Sequence, residues 1–400
     1  MHLLESYAAD SRLKIDKPFI YQRYFPLTIG KFITVHQDHR SPADVYDFWS
    51  SATSILFPHL KKADIKMIQI GSPNDTLIKG CIDLRGKTEI GQLSYIINNS
   101  LLHLCSDSFS QHIASSLGKK IVCLFGSNNP SNTGPYWSSS EDSISLTPHF
   151  KEGMLPTYTP SQKLNKKVIN TINPEDIAGS VCKLLDLEFE YPFESLYIGD
   201  CYKEALVEHV PNCTINVQGF SGQTLYERMD LNHDEECLDK QLSVDCGCNF
   251  SIITEKPINV RILKKHKKKI KTLFYRMDKG HSIKFVKDLL KTGIKYILTT
   301  RESQSFVDSI KLDYMDYGIV HIDEPLDPSE IDSLKNEDLE SLYFSSNKFI
   351  ISDQKFYPNT SYIKKGISVP SIDTTMVYPI EDVQSFLWDT DYVRIVKKKS

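Results

Sequence analysis

Short apolar runs, each closed by a small or polar residue, alternate along the first half of this chain with stretches whose apolar residues recur at helical spacing. Residues 31–36 (Lys-Phe-Ile-Thr-Val-His) read as a strand, as do residues 65–71, which end at Gly71. Between them Val45, Phe48, Trp49, Ala52 and Ile55 fall on one face of a helix over 42–56. Ile90, Leu93, Ile96 and Ile97 define a second helix over 88–98. Residues 102–135 then spell strand, tight turn, helix, strand. A first apolar run ends at Asp107-Ser108, an amphipathic run reaches Gly118, and a second apolar run ends at Phe125-Gly126-Ser127. A Ser/Asn/Pro-rich loop covers 127–140, and Ser143–Thr147 reads as a last strand. Asn173-Pro174-Glu175-Asp176 is a helix start, with proline in the first turn and acids beside it, and that helix runs to Leu187. The alternation predicts a doubly wound α/β domain over residues 20–190.

The second half begins with a short strand at Ser195–Gly199, followed at 201–258 by apolar runs broken by many polar residues. From Lys271 the pattern sharpens. It predicts strands at Thr272–Arg276, Lys295–Thr299, Gly318–Ile322 and Phe349–Ser352. Helices are predicted at Ser282–Leu290, Ser303–Ile310 and Pro328–Ser345. With a link at Glu190-Tyr191-Pro192-Phe193, the expected organisation is two domains, 1–190 and 191–400. The expected fold class is α/β, with two Rossmann-like domains facing a cleft.

Composition narrows the function classes. The chain has 400 residues, 40% hydrophobic and 24% charged, with a formal net charge of -4, which argues against a dedicated nucleic-acid coat or membrane-surface binder. The basic run Lys264–Lys271 has no interleaved aromatic residues and reads as a solvated face, although it would suit a nucleic-acid partner. No apolar run approaches the ~20 residues of a transmembrane segment. Residues Met1–Asp16 lack a signal core. Nine cysteines at irregular spacing, with Cys105, Cys123 and Cys182 inside apolar patterns, suit a reducing, cytoplasmic protein. His233, Cys237, Cys246 and Cys248 contain a Cys-x-Cys, but their spacing matches no pair of zinc knuckles, and no metal site is expected.

The chemistry concentrates at Asp107–Ser110. A turn that opens a helix presents unbonded N–H groups and about half a positive charge, a ready site for phosphate. Ser108 adds a hydroxyl, His112 lies in the first turn, and the loop Gly126–Asn129 can add main-chain donors. Arg40, after the first strand, is a further phosphate contact. Ser108-x-x-Gln111 also spells a capping box, which needs no ligand.

These residues resemble the donor-binding half of glycosyltransferase family 9, the lipopolysaccharide heptosyltransferase family. Asp107, Ser108, His112, Ala114, Leu117, Gly118, Lys119, Phe125, Gly126 and Pro130 match its pattern. Upstream, Asp83-Leu84-Arg85-Gly86-Lys87-Thr88 matches a second segment in the right order. The resemblance spans residues 30–190. It implies a GT-B architecture and inverting, metal-independent transfer of a sugar from a nucleotide-sugar donor to a glycan or lipid-linked acceptor. No cofactor is expected beyond that co-substrate. The implied donor-binding residues are Asp107, Ser108, Phe109, Ser110, His112, Gly126, Ser127 and Arg40. Phe109 stands where the family has glycine, Ser127 where it has proline, and the donor half is N-terminal here rather than C-terminal, as in a permuted protein. The family's catalytic carboxylate therefore does not transfer by position. Asp278, which follows the strand Thr272–Arg276, is the candidate base. Two other readings stand beside this one: a non-catalytic nucleotide-sugar or glycan binder, and a glycosyltransferase that modifies nucleic acid.

Overall fold

A computed structural model describes residues 1–37, 44–148, 167–216, 218–220, 222–245, 247–278, 280–324 and 334–399. The chain divides into two compact units, Met1–Ser195 with Lys399, and Leu196–Lys398. Both are α/β with mainly parallel main sheets, as expected. No helix among the described residues is long and apolar enough to cross a membrane.

The first unit opens with α1 (Leu3–Ser11) and then builds one six-stranded sheet. Its strands are β1 (Phe32–His36), β2 (Lys66–Ile70), β3 (Ile82–Asp83), β4 (Leu102–Ser106), β5 (Lys120–Leu124) and β6 (Ser143–Leu146). The helices are α2 (Trp49–Lys62), α3 (Ile90–Asn99), α4 (Phe109–Ser116), α5 (Pro130–Thr133) and α6 (Pro174–Leu184). All strand pairs are parallel, in the order β3-β2-β1-β4-β5-β6. In this doubly wound order β1 and β4 lie side by side but their connections leave in opposite directions, which opens a crevice beyond their carboxyl ends. β1 and β4 are buried at every position, as central strands of a parallel sheet must be. Their core includes Phe32, Ile68, Ile70, Cys105, Ile121, Cys123 and Phe125. The helix expected over 42–56 begins instead at Trp49 and continues through Pro58, although Val45 and Phe48 are buried as their spacing suggested.

The second unit contains β7 (Phe193–Ile198), which crosses the division, and β8 (Leu206–His209), β9 (Thr224–Arg228), β10 (Asn249–Thr254), β11 (Ile270–Arg276), β12 (Tyr296–Thr300) and β13 (Val320–Ile322). β14 (Leu342–Ser346), β15 (Lys348–Ser352), β16 (Lys355–Tyr357), β17 (Tyr378–Pro379) and β18 (Val393–Lys398) follow. Its helices are α7 (Glu235–Ser243), α8 (Val260–Lys265), α9 (Ile283–Leu290), α10 (Gln304–Tyr314) and α11 (Thr360–Lys365). The eight-stranded sheet runs β13-β12-β11-β10-β9-β8-β15-β16, parallel up to the final antiparallel hairpin, and a smaller sheet runs β17-β14-β18-β7. From β8 to β13 every step goes the same way. Right-handed crossovers that all step one way place their helices on one face. Accordingly Leu238, Leu263, Val286 and Ile310 of α7 to α10 share a core with Leu225, Phe250, Leu273 and Leu298. Two expectations change here. Residues 201–258 carry three strands of the main sheet, and the carboxyl end of the helix expected at 328–345 is a strand, β14, paired with β17 and β18.

The other face of that sheet carries charge. Lys348 lies between Asp389 at 2.7 Å and Glu208 at 3.0 Å. Glu208 also accepts from Arg228, whose guanidinium grips both oxygens of Asp230 at 2.8 Å. Arg276 joins Asp230 at 3.0 Å to Asp323 at 3.3 Å. Burial alone would raise the Asp230 and Asp389 carboxyls, but Arg228 and Lys348 outweigh it and hold both below the ordinary value. Stability from such groups is complete above the unfolded carboxyl value of about 3.9 and disappears as pH falls through the lower folded values. The second unit is therefore expected to weaken on acidification below about pH 4. A urea midpoint that stays constant between about pH 5 and pH 2 would contradict this.

Candidate functional site

The residues that carry the phosphate-binding expectation meet at the β1/β4 crevice of the first unit. His36 ends β1, and Asp107-Ser108 joins β4 to α4. Ser108 takes an extended backbone, φ -156° and ψ 174°, which turns the chain sharply into the helix. Its hydroxyl does not cap α4. It lies instead 3.2 Å from His36 Nδ1 and 3.0 Å from the Ser110 hydroxyl. Ser110 is also 2.7 Å from His36 Nδ1 and 2.9 Å from His103 Nε2, and His103 Nδ1 reaches Thr34 Oγ1 at 2.8 Å. A buried polar network thus supports the start of α4 from beneath, and each member is satisfied by another.

The capping box read from Ser108-x-x-Gln111 does not form. The Gln111 side chain donates to the Asp107 carboxylate and to the Thr133 carbonyl at 3.1 Å. α4 consequently begins without a side-chain cap, and its positive end stands beside the Asp107 carboxylate. The Phe109 side chain, 42% exposed, extends from this first turn with its ring edge-on to His36, centroids 5.6 Å apart. His112 is exposed on the same turn.

Asp107 fastens loops together. Besides Gln111, it accepts from Asn128 at 2.7 Å and from Thr133 Oγ1 at 3.0 Å, which ties the β4 loop to the segment after β5. The Gly126-Ser127 loop is engaged in a way the sequence did not suggest. The Ser127 N–H and hydroxyl donate to Asp44 Oδ1 at 2.9 and 2.7 Å, which removes both from the donors expected to face a phosphate. A Cβ at Gly126 would stand 2.5 Å from the same oxygen, so a larger residue there would displace the Asp44 carboxylate from Ser127. Arg40 lies outside the described residues.

The upstream motif braces the crevice. Arg85 binds both oxygens of Asp83, at 2.8 and 3.0 Å, and donates to the Asp75 carbonyl. Hydrogen bonds from Arg85 hold the Asp83 carboxyl down at about 2. The Gly86 N–H donates to the Gly71 carbonyl at 2.8 Å. Gly71, with φ +133°, stands so close to His36 that a Cβ would meet its ring at 2.9 Å and Asp75 Oδ2 at 2.2 Å. Arg85 and Lys87, whose Nζ donates to the Asp83 carbonyl at 2.6 Å, are therefore structural here. His36, His103, Thr34 and Asp44 were not anticipated. Single polar residues inside or just before apolar runs carry no local signal of the distant partners that satisfy them.

Asp278 follows β11 in the second unit. Its Oδ1 accepts from the Thr300 hydroxyl at 2.8 Å and the Arg301 N–H at 2.7 Å. Among the described residues no cluster of metal-ligating side chains occurs.

Comparison with known proteins bears out the resemblance over part of this region. Residues 51–153 match the family model for glycosyltransferase family 9 (heptosyltransferase). No curated protein matches the chain. A family 9 glycosyl transferase from Veillonella parvula is 20% identical, with 46% of this chain and 50% of that one covered and a TM-score of 0.32. The ADP-heptose lipopolysaccharide heptosyltransferase II of E. coli is 18% identical, with 46% and 51% covered and a TM-score of 0.32. An iron-containing dodecameric glycosyltransferase from enterotoxigenic E. coli is 14% identical, with 40% and 46% covered and a TM-score of 0.33. The matched part amounts to about half the length of the first two of these proteins.

Proposed function

We propose that this protein is a cytoplasmic glycosyltransferase that takes a sugar from a nucleotide-sugar donor, with the donor diphosphate held at the start of α4. The observation that carries this reading is the bare amino end of α4 at the crevice of a doubly wound sheet, inside the segment that matches family 9. Main-chain N–H groups and the helix field there favour two phosphates. They favour them more as negative charge builds on the leaving nucleotide, which lowers the barrier without a metal ion. Transfer with inversion needs a base to take the proton of the attacking hydroxyl of a glycan or lipid-linked acceptor. Asp278 is the candidate for that role. Its Oδ1 is occupied by Thr300 and Arg301, so Oδ2 is the atom assigned to the proton.

Binding without turnover is the competing reading. It is favoured by Phe109 at the phosphate position and by the capture of Ser127 by Asp44. A thermal-shift panel of nucleoside diphosphates and nucleotide sugars tests the shared premise. A matching ligand at a hundred times its dissociation constant should stabilise the protein by about 2.7 kcal/mol. A flat response across the panel would overturn both readings. Release of free nucleoside diphosphate on incubation with acceptor then separates transfer from binding.

A further inference from the structure

The chain of charges on the face of the eight-stranded sheet opposite α7 to α10 ends at a guanidinium that makes no hydrogen bond among the described residues. Lys348, Arg228 and Arg276 each lie within 3.3 Å of a carboxylate. Arg301, immediately after β12, differs. Among the described residues its one ion-pair partner is Asp323, 3.9 Å from Nε, too far for a hydrogen bond, and its guanidinium donates to none of them. The group is held in place all the same, because Cζ lies 4.1 Å from the centroid of the Trp388 ring. Arg301 is 32% exposed at its side chain, and Trp388 is 40% exposed. Beside it Arg276, 6% exposed, has a buried Nε with no partner. Thr299 and His321 are paired in register on adjoining strands next to Arg301, half-buried and exposed respectively, so the neighbouring sheet face is polar and reachable.

The placement is the one ligands take. Carboxyl ends of parallel strands are where α/β sheets bind small molecules, and α7 to α10 all pack against the opposite face. An oriented guanidinium fork on an aromatic plane, with its hydrogen-bond donors unused among the described residues, is matched by a planar or tetrahedral oxyanion. We propose that Arg301 on Trp388 binds the phosphate or carboxylate of a small anionic sugar, whose hydroxyls lie over the polar strand ends at Thr299 and His321. This goes beyond the donor reading and does not rest on it, since every residue involved belongs to the second unit.

Calorimetric titration of the full chain with glucose 6-phosphate, glucuronate, glucose and inorganic phosphate tests the proposal. At least one charged sugar is expected to bind at least tenfold more tightly than glucose. Arg301→Gln should weaken that binding about tenfold or more, the range of a charge-assisted hydrogen bond. Whichever charged sugar binds identifies the source of the oxyanion. Trp388→Phe keeps a ring beneath the guanidinium and should retain most of the affinity, and an unchanged circular dichroism spectrum and melting temperature of Arg301→Gln show that its loss of binding is not unfolding. Phe109→Asp, at the donor site, should leave this titration unchanged. Equal affinity for glucose and both charged sugars would overturn the proposal, as would undiminished binding by Arg301→Gln. It would also fail if inorganic phosphate bound as tightly as glucose 6-phosphate. Self-association that disappears in Arg301→Gln would assign the surface to a second copy of this chain instead.

Discussion

Replacing Lys348 with methionine is expected to destabilise the second unit by about 3–5 kcal/mol, the cost of leaving a buried charge without its partner. The substitution keeps the length and much of the volume of the side chain, so packing changes little. What it removes is the one cation between two carboxylates, Glu208 and Asp389, whose side chains are only 3% and 2% exposed. Glu208 retains Arg228, but among the described residues the Asp389 carboxylate keeps one side-chain hydrogen bond, from the Thr360 hydroxyl at 3.0 Å. Either Asp389 takes up a proton at neutral pH or the segment around it opens. Urea unfolding followed by circular dichroism measures the loss. A change below about 1 kcal/mol would mean that water already reaches these groups, as at surface ion pairs.

Placing a carboxylate at the start of α4 should have the opposite profile, intact folding and lost binding. Phe109 is exposed and contributes an edge contact to His36 rather than a buried core. In Phe109→Asp the new charge sits in the first turn, where an acid favours the helix by about 0.3–1 kcal/mol. The same charge opposes an incoming diphosphate. At ~5 Å and an effective dielectric of ~20, each pair of like charges costs about 3 kcal/mol, more than a hundredfold in affinity. The expected result is an unchanged or raised melting temperature together with no shift from any nucleotide sugar that stabilises the parent protein. A variant that still responds to the nucleotide would place the diphosphate elsewhere.

How far the sequence revealed this molecule depended on whether the relevant partners were local. β4, α4 and β5 were legible because mainly apolar runs mark central parallel strands, while Ser108 and Gly118 punctuate the helix between them. The shift of α2 to Trp49 was not legible. Val45 and Phe48 are buried whether or not they are helical, and Pro58 lies inside a helix it ordinarily ends. The strands of residues 201–258 were hidden by their own buried charges. Glu208, Glu227 and Arg228 interrupt the apolar pattern of β8 and β9, and only their buried partners explain them. β14 misled for a related reason, since its pairing with β17 and β18 is set by residues far along the chain. At the site, the turn and its helix were visible while the supports were not. His36 meets Ser110 across 74 residues and Asp44 meets Ser127 across 83, separations over which spacing carries no information.

The network beneath α4 restricts how protons are arranged. Ser110 has one hydroxyl proton and three polar neighbours, His36, His103 and Ser108, so it can give that proton to only one of them. A neutral His103 that takes a proton from Thr34 at one nitrogen must offer its own to Ser110 at the other, and the reverse assignment reverses the sense of both contacts. The orientation of hydroxyl dipoles at the rim of the crevice is thereby coupled to the proton placed between Thr34 and His103, two residues back along β1. A buried threonine with no route to a bound molecule shares in setting whether the oxygen atoms at that rim present a hydrogen or a lone pair.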